Sequence, residues 1–354
     1  MTTDTRIFEY YRRILKWVHT YPLPPHGFDP LTASSRALAE HGLPARPDPR
    51  LLGGGPFRFW KRMVGPPVQF RVPSFPDESE PRILSFVLQR HGDPALRMSG
   101  PPIPGFHHRS NSRNWSGACI TPIRPNRFTH VTGAWKIPQP TPPRVPPSGA
   151  NRLDEDYRSS TWLGVGGHRP YNSLPQIGTS QHVKLTNGAT SEEFGAWWQW
   201  WVKDRPEHHI PMPITNFPVY AGDSILASVT VEPPGDVLFH MTNETTNVFV
   251  TFKVVAPARI EPLGASAEWI HERPTEFNSD RMYPLPSCAE VAFEDCRAMS
   301  APIPGGPETV QTLVGSRLIR MTDIFGAPHR STLVSKPHLI SDTQLSVEYS
   351  EAEP

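Results

Sequence analysis

The sequence predicts an all-β chain behind a partly helical N-terminal extension, and three observations predict it. The 354 residues include 44 prolines and 25 glycines, a proline share more than twice the usual one, which favours many turns over long helices. From residue 114 onward, short runs rich in β-branched and aromatic residues alternate with turn signals. Helical spacing of apolar residues is confined to the first hundred or so positions.

Within the extension, Ile7, Phe8, Tyr11, Ile14, Leu15 and Val18 recur at helical spacing, with Arg6, Glu9, Arg12, Arg13 and Lys16 on the other side. That pattern is an amphipathic helix docked on a protein core. A second helix is signalled by Asp29 and Pro30 at its start and Gly42 at its end, and a third over 83–89. Residues 1–96 are therefore read as a helical, loop-rich extension and 97–113 as a linker.

Strands are expected at 160–165, 176–185, 194–202, 224–231, 238–243, 248–255, 265–272, 289–294, 318–322 and 345–349. About ten short strands in one region make a sandwich or a barrel. The proline-rich stretch 138–149 cannot be a central strand and reads as a surface loop.

Charge and cysteine usage exclude several function classes. Lys plus Arg number 35 and Asp plus Glu 34, so no net field points to nucleic acid or to an acidic membrane surface. The three cysteines include no CxxC, which removes zinc ribbons and dithiol redox motifs, and they allow one disulfide, with Cys288 and Cys296 the favoured pair. His107-His108 and His208-His209 are adjacent pairs whose side chains diverge in an extended chain, so no metal or other cofactor is expected. No apolar run reaches transmembrane length and the N-terminus lacks an apolar signal core, which makes a cytoplasmic chain without stable membrane insertion the default. GxSxG, HExxH, Walker A and GxGxxG motifs do not occur.

One short stretch, GASAEWIHERP at 264–274, puts a carboxylate inside a strand. Period-two alternation places Ala265, Ala267, Trp269 and His271 on one face and Ser266, Glu268, Ile270 and Glu272 on the other. The same rule groups Gln176, Gly178, Ser180 and His182, and it separates Trp197, Gln199 and Trp201 from Trp198 and Trp200. Gly178 leaves room for a ligand backbone.

The motifs NWSGACI (114–120), VTGAWKIP (131–138), TWLGVGG (161–167), LPQIGTS (174–180), AWWQWW (196–201), AGDSILASVTV (221–231) and SAEWIHERP (266–274) follow one another in an order that resembles the glutamic peptidases, or eqolisins. The resemblance covers about residues 114–350. It implies a jelly-roll sandwich of two antiparallel sheets over 114–351, with a substrate groove on a concave face. It also implies an endopeptidase favouring acidic pH, a peptide or unfolded protein as substrate, a monomer, and secretion with a cleaved pro-segment. By position, Glu268 and Gln176 fall on the family's catalytic glutamate and glutamine. Trp162 and Trp197 fall in the groove. The chain departs from the family at Gly166 and Ser180, where aspartates are usual, and at Gln199, where a glutamate is. Carboxylates plus aromatics on a concave sheet also suit sugars, so a carbohydrate-binding or glycan-cleaving jelly roll is the alternative. A catalytically silent peptide-binding sandwich is the third reading.

Overall fold

The computed structural model describes residues 3–76, 89–90, 108–144, 153–167, 172–233, 235–256, 260–277, 279–302, 305–324 and 331–350. The extension holds α1 (Thr3–Leu15), β1 (Val18–Thr20), α2 (Ser35–Glu40), α3 (Pro49–Leu52), α4 (Gly54–Val64), β2 (Gln69–Arg71) and β3 (Gln89–Arg90). The remainder runs through β4 (His108–Ser112), β5 (Trp115–Ile120), β6 (Arg127–Lys136), β7 (Glu155–Val165), β8 (Ser173–Thr186), β9 (Ala189–Val202) and β10 (Met212–Pro213). It continues through β11 (Ser224–Glu232), β12 (Asp236–Asn243), β13 (Val248–Val254), β14 (Ala267–Glu272), β15 (Thr275–Glu276) and β16 (Val291–Ala301). It closes with β17 (Thr309–Gln311), β18 (Arg317–Ile324), β19 (Ser331–Ser341) and β20 (Gln344–Tyr349).

These strands form a sandwich. The first layer runs β9-β8-β7-β14-β5-β18 and the second β20-β16-β6-β11-β12-β13, every neighbouring pair antiparallel. Strand β19 pairs with both β18 and β20 and so carries the chain from one layer to the other. Side chains facing inward are large and apolar. Trp198 lies against Phe239 and Phe252 of the second layer, at ring separations of 5.4 and 5.3 Å. Two buried indoles find acceptors across the core: Trp269 donates to the Thr132 carbonyl at 2.8 Å and Trp135 to the Thr179 hydroxyl at 3.0 Å. Each polar tip is thereby satisfied while its ring fills the interlayer space.

The extension is built into this sandwich. Ile7, Tyr11 and Ile14 of α1 belong to the main core, and the Tyr11 hydroxyl donates to the Pro211 carbonyl at 3.0 Å. β1 and β2 pair along the edge strand β13, which removes its open hydrogen-bonding groups from water. Phe59, Trp60, Met63 and Val64 of α4 cover Ala134, Leu226 and Phe249 on the outer face of the second layer. Arg62 fastens this helix through Glu244 at 2.9 Å and Asp295 at 2.7 Å.

Several local expectations are corrected. The helix expected from Asp29 starts at Ser35: Asp29 caps a turn through the Leu31 amide, and the Ser34 hydroxyl accepts from the Ala37 amide as the true N-cap. Val18 leaves α1 because it pairs with Val254 as strand. The helix expected at 83–89 lies outside the described residues except Gln89, which is strand. The linker expected at 97–113 is described only from 108, and 108–112 pairs in parallel with β18. Cys288 and Cys296 are free and buried, the latter inside the core cluster. The 138–149 loop is described to residue 144, where Thr141 bridges Ser287.

Candidate active site

The outward face of the first layer is organised in rows, because residues directly opposite in an antiparallel pair point to the same side. One row reads Arg317, Cys119, Glu268, Gly164, Gln176, Gln199 across six strands. The next reads Ile319, Gly117, Ile270, Trp162, Gly178, Trp197. A third holds Trp115, Glu272, Ser160, Ser180 and Gly195. The alternation read from the sequence therefore brings Glu268, Gln176, Gln199, Trp162, Gly178, Trp197 and Ser180 onto one face. Gly166 stands at the end of β7 beside it.

Gly164 separates Glu268 from Gln176. Strand spacing puts the two backbones about 10 Å apart, and the missing Cβ lets the Leu174 side chain and the Pro175 carbonyl close in on the strand between them. The glycine is obligatory: a Cβ there would meet Leu174 Cδ1 at 2.8 Å, the Pro175 carbonyl oxygen at 2.9 Å and Gln176 Cβ at 3.0 Å. Sequence reasoning passed over Gly164, although the TWLGVGG motif contains it.

A chain of amides orients Gln176. The His208 carbonyl accepts from Gln199 Nε2 at 2.8 Å, so Gln199 turns its Oε1 toward Gln176, whose Nε2 donates to it at 2.9 Å. A backbone carbonyl can only accept, which fixes the sense of both amides. An ionised glutamate at position 199, an acceptor only, could not make the bond to the His208 carbonyl. That bond gives a structural reason for an amide here, and the polar residues of 208–209, tied by His208 Nδ1 to the Trp200 carbonyl at 3.1 Å, belong to the site's support.

The tryptophan row is packed against the glycines. A Cβ on Gly178 would lie 2.5 Å from both Trp162 Cβ and the Thr161 carbonyl oxygen, so the room expected there for a ligand backbone is filled by Trp162 itself. The Trp162 indole donates to Glu272 at 2.8 Å and meets Trp115 edge-on at 5.0 Å. Asn114 donates to the other oxygen of Glu272 at 3.2 Å. Glu272 thus holds Trp162 in place. Gly166 adopts φ +96, a conformation that disfavours any side chain and accounts for glycine in place of aspartate.

Glu268, Gln176, Trp162 and Trp197 are all fully buried, so this face is not the open groove that the sequence suggested. One covering group comes from the extension: Gln89, itself fully buried, donates to the Ser180 hydroxyl at 3.2 Å, and Ser180 also bonds Ser160 at 2.9 Å. β3 is held there by pairing with β15 just beyond Glu272. Cys119, beside Glu268, has its thiol pushed up by burial and by the Glu268 charge, with Arg317 acting in the opposite sense. Among the described residues, no group of three or more His, Cys, Asp or Glu is arranged to hold a metal.

Comparison with known proteins agrees with the fold. Two crystal structures of Scytalido-glutamic peptidase share the fold. The one with a transition state analog inhibitor is 20% identical, with a TM-score of 0.51, and the match covers 67% of this chain and 98% of that one. The one with a peptide based transition state analog is 18% identical, with a TM-score of 0.50 and the same coverage. No curated protein sequence matches the chain. The model of the Peptidase A4 family matches residues 113–317, more than half of the chain and every member of the Arg317-to-Gln199 row, and the protein belongs to that family, the glutamic peptidases.

Proposed function

We propose that this glutamic-type endopeptidase cleaves peptide bonds with Glu268 as general base and acid and Gln176 as oxyanion donor. The observation that carries the reading is the row in which Gly164 alone separates the two side chains. A water held beside Glu268 can pass a proton to it as the water attacks a peptide carbonyl. Gln176 Nε2 carries two protons and gives one to Gln199. The other can donate to the oxygen that becomes negative. Glu268 then returns its proton to the leaving amine. No covalent intermediate is needed.

Trp162, Trp197, Gly166, Gly178, Ser180 and Gln199 form the walls and supports of that site rather than reacting groups. Glu268 and Gln176 are fully buried, so substrate entry requires this face to open, and the contact of Gln89 with Ser180 is one that would part. In this reading the extension contributes Gln89 to the cover of this face, while α1, β1, β2 and α4 anchor the extension elsewhere on the sandwich. A glycan-cleaving site of the retaining type needs two carboxylates about 5 Å apart. The position facing Glu268 across Gly164 is an amide, which favours peptide chemistry.

Incubating the purified chain with a denatured protein, and separately with polysaccharides, over a pH series tests the proposal. Peptide products with no sugar release are expected. Sugar release, or binding without any cleavage, would overturn it.

A further inference from the structure

The extension covers the outer face of the second layer unevenly. Phe59, Trp60, Met63 and Val64 of α4 pack on Ala134, Leu226 and Phe249, which share one row across the strands. Two rows farther along, Met299, His130, Thr230 and Leu238 stand side by side. Between that row and the extension lies a cavity of about 460 Å³, within the range of about 300–1,000 Å³ that small-molecule sites occupy. Leu43, Leu52, Phe59, Trp60 and Met63, from the α2–α3 connection, α3 and α4, close its other side.

Most polar groups on the cavity floor are engaged. His240 bonds the Ser228 hydroxyl at 3.0 Å and the Gly42 carbonyl at 3.1 Å, and Thr132 donates to the carbonyls of Asp295 and Arg297. His130 bonds the Thr230 hydroxyl at 2.7 Å through Nδ1, and its Nε2 has no partner among the described residues. Burial pushes His130 down to about 4 and His240 to about 3, so neither adds positive charge at pH 7. The charged side chains on the wall are Arg46, Asp48, Glu232 and Glu308, one cation against three carboxyls. Arg46 is already committed: its Nη2 donates to the Pro30 and Ala33 carbonyls at 2.6 and 2.8 Å, and its guanidinium lies 5.3 Å from the centre of the Trp60 ring. Asp48 accepts from the Arg50 amide and Glu308 from the Thr129 hydroxyl, bonds that leave both charges in place. Lys253 and Arg297, in the rows of the floor, are paired with Asp236 and Asp295. An apolar interior therefore meets a wall with excess negative charge.

We propose that this cavity binds a small organic amine with an apolar body, its hydrocarbon part against Trp60, Met63 and Leu238 and its ammonium group at the carboxylates of the wall. Apolar burial supplies most of the affinity, and the charge selects the head group. The site lies on the layer opposite the Glu268 face and does not depend on the catalytic assignment. Because its walls come from both the extension and the sandwich, an occupant ties the two together and raises the melting temperature by mass action.

The test uses the full chain and three probes of one shape: phenylpropylamine, phenylpropanol and phenylpropanoate. Calorimetric titration at pH 7 should give the amine a dissociation constant on the order of 10⁻⁴ to 10⁻³ M, with the alcohol weaker and the carboxylate weakest. Methionine methyl carbons, labelled and followed by NMR, report the place. Met63 and Met299, assigned with Met63→Leu and Met299→Leu, should shift on adding the amine, while Met212 and Met321, which line no part of the cavity, should not. Joint replacement Glu232→Gln and Glu308→Gln, at exposed positions, should weaken the amine about five-fold and leave the alcohol unchanged. Leu238→Trp, which fills the cavity, should abolish binding of all three probes. Should that variant fail to fold, the methyl shifts and the glutamine variant still decide. No binding at millimolar amine, a carboxylate bound as tightly as the amine, an amine affinity unmoved by the two glutamines, or shifts confined to other methionines would each overturn the proposal.

Discussion

Glu268 and Gln176 flank Gly164 on one sheet face, each directly opposite it in register. Adding a methyl at position 164 would press on Gln176 Cβ at 3.0 Å and on the Pro175 carbonyl oxygen at 2.9 Å. Gly164→Ala should therefore lower kcat by about 10- to 100-fold through displacement of the donor, as a shift of about 1 Å does in a positioned site. Steady-state kinetics beside a melting curve checks this. Unchanged kcat in a folded variant would mean that the placement of Gln176 beside Gly164 does not matter to the reaction.

Adding an acid to the Glu268 face should raise the pH at which Glu268 ionises, by less than one unit at the about 16 Å between the Ser180 and Glu268 backbones, since a like charge disfavours the charged form. Ser180→Asp is the variant to make, because Gly166→Asp would also force a side chain onto φ +96 and confuse strain with charge. The acid limb of the pH profile should move upward in Ser180→Asp. A profile that stays in place would reject the electrostatic account of the missing carboxylates.

Acid should also threaten the fold itself. Burial pushes His130 and His271 down to about 4 and His240 to about 3, from an ordinary value of 6.5. Each is neutral in the folded chain, and each unfolded histidine binds a proton below pH 6.5. Their contribution is present above that value and is lost as pH falls toward 4 and 3. With three protons taken up on unfolding, stability should drop by about 4 kcal/mol per pH unit in that window. Denaturant midpoints between pH 7 and 4 measure it, and flat midpoints would contradict the buried neutral histidines.

Removing the extension should damage the sandwich. A chain of residues 114–354 loses Ile7, Tyr11 and Ile14 from the core and the two strands that cover β13. Each large core deletion costs about 2–5 kcal/mol against a total stability of about 5–15 kcal/mol. Insoluble or unfolded protein is expected. A soluble fragment with unchanged peptidase activity would show the extension to be dispensable.

Much of the site was legible because strand alternation is a strict rule. Once Glu268 and Gln176 are each placed on a strand, the residues two and four positions along share their face, as Ile270, Gly178 and Ser180 show. What alternation does not carry is register between distant strands. Nothing local joins Arg317 to Cys119 or Gln89 to Ser180, contacts that span the chain. Gly164 looked like one glycine among several in TWLGVGG until its two neighbours across the sheet were known. The Asp29 start failed for another reason: an aspartate can close a turn as readily as cap a helix, and the Ser34 cap lay five residues on.

The most direct measurement is turnover of an unfolded protein or peptide substrate by Glu268→Gln, which keeps the side-chain volume but gives the water's proton no acceptor. The account predicts a loss of about 10²- to 10⁴-fold. Gln176→Ala, the companion variant, should lose about 10²- to 10³-fold. Hydrolysis by Glu268→Gln at near wild-type rate, with the fold verified by circular dichroism, would contradict it.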